Sequence, residues 1–168
     1  MNLGGNLTIP DASLTKLDAR LYCIAHVLRV RRLIVPRYQR SYAWGSEQIN
    51  TFWEDLRSAI LSPIPSYFLG TIVLSSESDA REGVIIDGQQ RLATAALLIA
   101  VIRDQFKRAG DDSRAQALQS EFLTYRDLTC GTEGPRLTMN SDDAEFFSAY
   151  IVGDQQVQEP SGASKRRI

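Results

Sequence analysis

The feature that most constrains the fold is the stretch VIIDGQQRLATAALLIAVIRD, residues 84–104, in which a β-branched segment meets an apolar helix at one glycine. The β-branched residues predict a strand that ends at Asp87, and Gly88 permits the tight turn that follows it. Apolar residues at helical spacing then predict a helix over about 89–108, which Gly110 ends. A chain built around this unit has to place a sheet against helices.

Apolar residues at helical intervals elsewhere predict four further helices, at about 14–29, 46–61, 113–126 and 141–151. Ser46 is a favourable N-cap for the second of these helices. The apolar stripe of that helix consists of Ile49, Phe52, Trp53, Leu56 and Ile60. β-rich runs predict a strand at 33–35, an antiparallel hairpin at 67–76 and 83–87, and a short strand at 135–139. The sequence therefore predicts an α+β fold with a small sheet between helices.

Length and charge set the size of the domain and limit its partners. A chain of 168 residues with 43% hydrophobic content can build one domain with a single core. We place this domain at 14–152, between a flexible N-terminus at 1–13 and a disordered tail at 153–168. The 19 basic and 20 acidic residues nearly cancel, so any phosphate binding has to be local.

Cysteine spacing and hydropathy indicate the cellular location. Cys23 and Cys130 lie far apart and match no metal-ligand spacing, which predicts free thiols and a cytoplasmic protein. The longest strongly apolar run, 92–102, covers only about half of the ~20 residues needed to cross a bilayer. No membrane partner is expected.

The hinge between the strand and the long helix carries residues suited to polyphosphate binding. Gly88 lets the backbone approach a ligand closely, and the free N–H groups of the next helix attract an anion. Arg91 adds a guanidinium for phosphate oxygens, and Asp87 has the chemistry to hold Mg²⁺ or orient a water. Gln89 and Gln90 have side chains that position a nucleophilic water or read a base edge. In the alternative interpretation, Asp87 only caps the helix and Arg91 pairs with a nearby acid.

A second polar cluster lies in the segment PRYQRSYAW, residues 36–44. Its basic, amide and aromatic side chains are Arg37, Tyr38, Gln39, Arg40, Tyr42 and Trp44. This mixture is suited to phosphate contact and base stacking. Side chains alternate along an extended segment, so Arg40 and Tyr38 are expected on one face. In the alternative interpretation, Tyr42 and Trp44 anchor the following helix in the core, and the arginines form a solvated edge.

Four motifs, IVPRYQRSYAW, QINTFWEDL, YFLGTIVL and VIIDGQQRLATAALLIAVIRD, resemble in order and spacing the N-terminal domain family of GmrSD-type restriction endonucleases. The resemblance covers residues 14–108, and a shorter family-like segment continues to about 151. It implies a fold similar to ParB and sulfiredoxin, with a small mixed sheet flanked by helices. It also implies a nucleotide-handling role in phage-defence systems.

In that family, the Asp-Gly-Gln-Gln-Arg turn is associated with nucleoside triphosphate binding and hydrolysis. The resemblance therefore implies catalytic roles, with Asp87 also as the Mg²⁺ ligand, for Asp87, Gln89, Gln90 and Arg91. It implies nucleotide or phosphate contacts for Arg37, Tyr38, Gln39, Arg40, Gly88 and Arg91. Family members usually have two threonines where this chain has Ala93 and Thr94, which we expect to remove a hydroxyl near the phosphates.

Two other functions compete with nucleotide hydrolysis. A non-catalytic DNA-binding module would use the basic residues Arg31, Arg32, Arg37 and Arg40 on one groove. Direct nuclease action by the ParB-like domain is less favoured, because no second carboxylate pair lies near Asp87. The full restriction proteins carry a His-Asn-His nuclease domain, whereas the single histidine here, His26, is predicted to be an ordinary helix residue. We therefore expect that nuclease to reside on a separate domain or subunit.

Overall fold

The computed structural model describes residues 19–63, 68–75, 82–127 and 131–153. The helices in this part of the chain are α1 (Ile24–Val30), α2 (Ser46–Leu61), α3 (Gln89–Arg108), α4 (Asp112–Leu118) and α5 (Ala144–Val152). The strands are β1 (Arg32–Ile34), β2 (Val73–Ser75), β3 (Glu82–Asp87), β4 (Thr124–Arg126), β5 (Glu133–Pro135) and β6 (Leu137–Thr138). The predicted flexible N-terminus at 1–13, Cys130 and the predicted tail beyond Gly153 lie outside the described residues.

Four strands form the sheet that positions the polar hinge. Their order is β2-β3-β1-β6, with β3 and β6 parallel to β1 and β2 antiparallel to β3. A separate antiparallel pair joins β4 to β5. The prediction of an α+β fold with a small mixed sheet and a β2–β3 hairpin is confirmed. The likeness to the ParB and sulfiredoxin fold stays a prediction.

The core lies where α3 covers the sheet. Leu92 and Ala100 on α3, Leu33 on β1 and Ile85 on β3 are fully buried in one apolar cluster. Burying a leucine or isoleucine side chain contributes about 1.5–3 kcal/mol, so this layer holds the strand-to-helix hinge in place. The predicted bounds of α3 are confirmed, and Gly110, at φ +76°, follows its last turn. None of the helices in the described ranges is long and apolar enough to cross a membrane.

The first helix is shorter than predicted. Its predicted start at residue 14 lies outside the described residues, but 19–23 are not helical and α1 begins at Ile24. Leu21, part of the predicted apolar repeat, is 88% exposed, so no core contact extends the helix toward the N-terminus. The next strand is found one residue earlier than predicted, at Arg32–Ile34. Val35 still donates its N–H to the carbonyl oxygen of Thr138 at 2.9 Å.

The helix predicted over 113–126 is wrong at its C-terminal end, because 124–126 form a strand. After α4 ends at Leu118, a π-helical turn spans Gln119–Leu123 and leads directly into β4. The physical reason is pairing with β5, since Tyr125 lies opposite Gly134 and packs closely over it. A Cβ on Gly134 would lie 3.2 Å from the Tyr125 ring, so the glycine leaves room for the aromatic side chain.

Smaller differences concern the ends of elements. Ser46 is the first residue of α2 rather than its N-cap, and Gly45 takes the cap position. The Gly45 N–H donates to the side-chain oxygen of Gln48 at 2.9 Å. Of the predicted strand 67–76 the structure describes residues 68–75, and among these only Val73–Ser75 pairs in the sheet. The last helix begins at Ala144, because 141–143 form a turn.

The apolar stripe of α2 does not face the core. Phe52 is its one buried residue, and its ring lies 5.9 Å from that of Trp44 between centroids. Trp53 is 48% exposed, and Ile60 and Leu61 are 72% and 73% exposed. In the described part of the chain, α2 is therefore attached near its N-terminal half, with the apolar end in solvent.

Candidate functional site

The hinge between β3 and α3 is a sharp corner that only glycine fits. Gly88 has φ +92° and ψ +7°, in the left-handed region that side chains rarely adopt. A Cβ there would lie 3.0 Å from the Ile72 side chain and 3.2 Å from the carbonyl oxygen of Thr71. The segment just before β2 thus packs closely against the corner, and α3 begins immediately after Gly88.

The first turn of α3 presents unpaired backbone donors at this corner. The first helical hydrogen bond runs from the N–H of Leu92 to the carbonyl oxygen of Gly88 at 3.1 Å. The N–H groups of Gln89, Gln90 and Arg91 therefore precede the helical hydrogen-bond ladder. They form the positive end of a helix of 20 residues. One interpretation of the sequence predicted that Asp87 caps this turn. The structure contradicts it, because the Asp87 side chain makes no capping hydrogen bond.

Gln90 fastens the neighbouring loop to α3. Its side chain is only 6% exposed, and its Oε1 accepts hydrogen bonds from the N–H of Ala43 at 2.8 Å and of Trp44 at 3.3 Å. Its Nε2 donates to the carbonyl oxygen of Ser41 at 3.4 Å. The buried amide of Gln90 thus takes the place of a strand partner for the loop 36–44 and holds the backbone at Ala43 and Trp44.

Two further glutamines join the same loop to β3 and α3. Gln89 is 5% exposed, and its Nε2 donates to the carbonyl oxygen of Arg40 at 2.9 Å. Its Oε1 is buried without a hydrogen-bond partner among the described residues. Gln39 donates from Nε2 to the carbonyl oxygen of Ile86 at 2.9 Å. The polar hinge and the PRYQRSYAW segment are therefore in contact.

The turn before α5 holds the loop from its other side, and the sequence reasoning missed this. The buried Asp143 carboxylate accepts the N–H of Tyr42 at 2.6 Å, and Asn140 Nδ2 donates to the carbonyl oxygen of Gln39 at 2.8 Å. Ser41 Oγ donates to Asp142 at 3.2 Å. From the sequence, the acidic run SDDAE predicted only the start of a helix. In the structure, two of its acidic side chains bind a segment about a hundred residues away.

Tyr42 is a core anchor, as the alternative interpretation of the second cluster proposed. It is 1% exposed, and its hydroxyl lies 2.8 Å from Thr94 Oγ1, which in turn donates to the carbonyl oxygen of Gln90 at 2.8 Å. Burial raises the pKa of the Tyr42 phenol, and the hydrogen bond with Thr94 partly opposes this rise. The hydroxyl is therefore a neutral donor across the ordinary pH range.

The structure corrects the expectation that Ala93, in place of a threonine, removes a hydroxyl near the phosphates. Its side chain is fully buried and belongs to the apolar core cluster. A hydroxyl at this position would therefore enter the core and not the phosphate site. The departure from the usual pair of threonines lies away from the ligand side of α3.

Arg91 is fixed against the strand side of the corner. Its Nη1 donates to the carbonyl oxygen of Thr71 at 2.6 Å. A Cβ on Gly70 would lie 3.0 Å from the Arg91 Cζ, so this glycine makes room for the guanidinium. The positive charge of Arg91 is therefore held beside the N-terminus of α3. It does not stabilise the helix there, because the N-terminal end of the helix is itself positive.

A surface cavity, here called the corner cleft, opens at this point. It has a volume of about 150 Å³. The residues that line it are Gln39, Arg40, Trp44, Asp87, Gly88, Gln89, Gln90 and Arg91. The structure thus brings together all but two of the residues predicted for the site. Arg37 and Tyr38 are exposed at a turn and do not line the cleft; Tyr38 is 77% exposed.

The chain also resembles a known protein family. The sequence matches the family described as the GmrSD restriction endonuclease, N-terminal domain, over residues 24–164. The chain belongs to that family. As a GmrSD N-terminal domain, it is a component of a phage-defence restriction system. No curated protein matches the chain.

The chemistry of the GmrSD-type corner fits a metal ion only as part of a ligand complex. Within the described ranges there is no group of three or more histidine, cysteine or acidic side chains that would hold a metal by itself. Asp87 supplies one exposed carboxylate at the cleft. Mg²⁺ is commonly bound by one or two carboxylates together with substrate phosphates and water, and this donor set suits that mode.

Proposed function

We propose that this domain binds a nucleoside triphosphate at the corner cleft and hydrolyses it. The observation that carries the proposal is that Arg40, Arg91 and the N-terminus of α3 line one small cavity. Cationic donors and helix N–H groups in one cleft are the chemistry that binds polyphosphate. Membership of the GmrSD N-terminal domain family supports the proposal, because it makes the domain a component of a restriction system.

Each part of the corner has a distinct task in binding. The N–H groups of α3 and the guanidiniums of Arg40 and Arg91 neutralise phosphate oxygens, and the missing Cβ of Gly88 lets the backbone approach them. The Asp87 carboxylate would hold Mg²⁺, and that ion would neutralise charge on the phosphates.

The two glutamines of the corner differ in their tasks. Gln90 is a positioning residue, because its amide oxygen is occupied by the N–H groups of Ala43 and Trp44. Gln89 lines the cleft, and we assign its side chain the role of orienting the attacking water. Hydrolysis then depends on positioning and charge stabilisation, as phosphoryl transfer generally does.

Cleavage of DNA by the restriction system is assigned to a separate nuclease domain or subunit. Nucleotide binding here then acts as a signal to that partner. DNA binding by this domain is the alternative, and the exposed pair Arg37 and Tyr38 beside the cleft favours it. However, Arg32 is already paired with Glu82 at 3.0 Å and lies over the Tyr125 ring, so the proposed basic groove loses one member. A steep fall of DNA affinity with salt would support the alternative.

A thermal-shift screen with the four common nucleoside triphosphates and Mg²⁺ tests the proposal. A ligand present at a hundred times its Kd stabilises the native state by about 2.7 kcal/mol, which raises the Tm by about 5–11 °C for a chain of this size. Asp87→Ala and Arg91→Ala should remove this rise and any phosphate release. The matched control is Arg108→Ala, at the exposed far end of the same helix. A wild-type rise that persists in both cleft variants would contradict the proposal.

A further inference from the structure

Arg40 differs from Arg91 in how its charge is held at the corner cleft. The guanidinium of Arg91 is fixed directly, because it donates to the carbonyl oxygen of Thr71 at 2.6 Å. Arg40 is exposed, and its guanidinium makes no hydrogen bond or ion pair with another described residue. The position of the Arg40 charge therefore depends on how the backbone of its loop is held.

The turn 140–143 binds the loop backbone on both sides of Arg40. Before it, the carbonyl oxygen of Gln39 accepts a hydrogen bond from Asn140 Nδ2 at 2.8 Å. After it, the N–H of Tyr42 donates to the Asp143 carboxylate at 2.6 Å. A segment that is held at two points can pivot less than one that is held at a single point. These two hydrogen bonds therefore form a clamp around the residue that carries the charge.

The side chains of this turn are used for the loop and not for the helix that follows. Asp143 occupies the N-cap position of α5 but makes no side-chain capping hydrogen bond. Asp143 is fully buried, and Asn140 is 4% exposed. Burial of a carboxylate costs free energy unless hydrogen bonds replace its lost hydration. A hydrogen bond between a carboxylate and a backbone N–H is roughly twice as strong as one between neutral groups, so the clamp is a strong one.

We propose that Asp143 and Asn140 are positioning residues, which hold the loop so that Arg40 is in place at the corner cleft before a phosphate group binds. A site that is formed in only part of the molecules binds its ligand more weakly by that fraction. If the unclamped loop places Arg40 correctly in about one molecule in ten, the apparent affinity falls about tenfold. This inference rests on the proposed function, because Arg40 acts on the phosphates of that ligand.

Calorimetric titration of the full chain with inorganic tripolyphosphate and Mg²⁺ tests the positioning role. Asp143→Ala and Asn140→Ala should each weaken binding about tenfold. Asp143→Asn keeps an acceptor for the N–H of Tyr42 and should restore most of the affinity. The matched control is Glu145→Gln, an exposed acid in the first turn of α5, which should bind like the wild type. Wild-type affinity in both alanine variants would overturn the inference.

A double-mutant cycle with Arg40 separates positioning from a general loss of structure. Arg40→Ala should weaken binding, and adding Asn140→Ala to it should cause no further loss, because the side chain that Asn140 positions is gone. Independent effects would instead multiply. Multiplied losses would therefore overturn the inference. If the wild-type chain itself does not bind tripolyphosphate, the proposed function fails, and the two failures are thereby distinguished.

Amide hydrogen exchange tests the clamp in the wild type, without any substitution. The N–H of Tyr42 should exchange slowly, because it is buried and bound to Asp143. The N–H of Tyr38, in the exposed turn of the same loop, should exchange quickly. This measurement holds even if the Asp143→Ala chain does not fold. Equally fast exchange at Tyr42 and Tyr38 would show that the loop is not held and would overturn the inference.

Discussion

The start of α3 and the end of α2 differ in the polarity of the side chains that they bury. At the start of α3, Gln89 and Gln90 are 5% and 6% exposed, although both carry polar amides. At the end of α2, Ile60 and Leu61 are 72% and 73% exposed, although both are apolar. The buried amides hold the loop 36–44, whereas the exposed aliphatic side chains contact no core in the described part of the chain.

This difference shows that polar side chains are buried here when they hold the site together. An amide without partners costs free energy when it is buried, but Gln90 is stabilised because its oxygen accepts two loop N–H groups. The apolar stripe of α2 has no such arrangement, since only Phe52 reaches the interior. Mutations should therefore be costly at the buried polar positions of α3 and inexpensive at the exposed apolar positions of α2.

Gln90→Leu should have the largest effect on stability. It leaves the N–H groups of Ala43 and Trp44 without their acceptor, which should lower the free energy of unfolding by about 3 kcal/mol and the Tm by about 6–12 °C. Chemical denaturation measures the change. Gln105→Leu, at an exposed position of the same helix, is the control and should change little. Equal effects in the two variants would break the comparison.

Gly88→Ala should have the next largest effect, about 2 kcal/mol. The substitution forces a side chain into a left-handed conformation and places its Cβ 3.0 Å from the Ile72 side chain. Gly110→Ala is a matched control, because Gly110 also has positive φ, +76°, but no atom lies within 4 Å of the new Cβ. It should cost about 1 kcal/mol. A smaller loss for Gly88→Ala than for Gly110→Ala would contradict the tight corner.

Tyr42→Phe should cost about 1 kcal/mol, because it removes one buried hydrogen bond with Thr94. The same residue predicts a dependence on pH. Burial raises the folded-state pKa of the phenol above its ordinary value of 10.0, so the native state retains the proton longer than the unfolded chain. The associated stability is present below pH 10 and is lost as the pH rises further. Denaturation between pH 9 and about 11 should show a shallower decline for Tyr42→Phe than for the wild type, and equal slopes would contradict this assignment.

Ile60→Gln should have the smallest effect, within about 0.5 kcal/mol of the wild type. Its side chain is already largely in water, so the substitution removes little buried surface. Ile85→Gln, in the fully buried core on β3, is the contrasting variant and should be severely destabilising. A loss of more than about 1.5 kcal/mol for Ile60→Gln would mean that the end of α2 is covered in solution.

The local part of this architecture could be predicted from the sequence. A β-branched run, one glycine and an apolar helix are adjacent in the chain, so the corner and the bounds of α3 follow from short-range rules. The prediction that Gln39 and Arg40 lie at this corner came from the family resemblance. The contacts of Asp143 and Asn140 with the loop were not predictable, because they join residues 101 positions apart.

Two predictions are wrong for the same reason, because tertiary contacts that the sequence pattern does not show decided the outcome. The chain from Gln119 to Arg126 is compatible with a helix, but pairing with β5 changes it to a π-helical turn and a strand. The stripe on α2 has the spacing of a core helix, yet spacing does not say whether a second element will cover it. Periodicity identifies a helix, whereas the position of its apolar face depends on the rest of the fold.

The central claim is that the corner formed by Asp87, Gly88 and the start of α3 holds a polyphosphate. Amide NMR of the ¹⁵N-labelled chain, titrated with inorganic tripolyphosphate and Mg²⁺, tests it most directly. The N–H resonances of Gly88, Gln89 and Gln90 should shift in a saturable way, while those of Ile60 and Leu61 stay in place. Saturable shifts confined to other parts of the chain, or no saturable shift at all, would contradict the account.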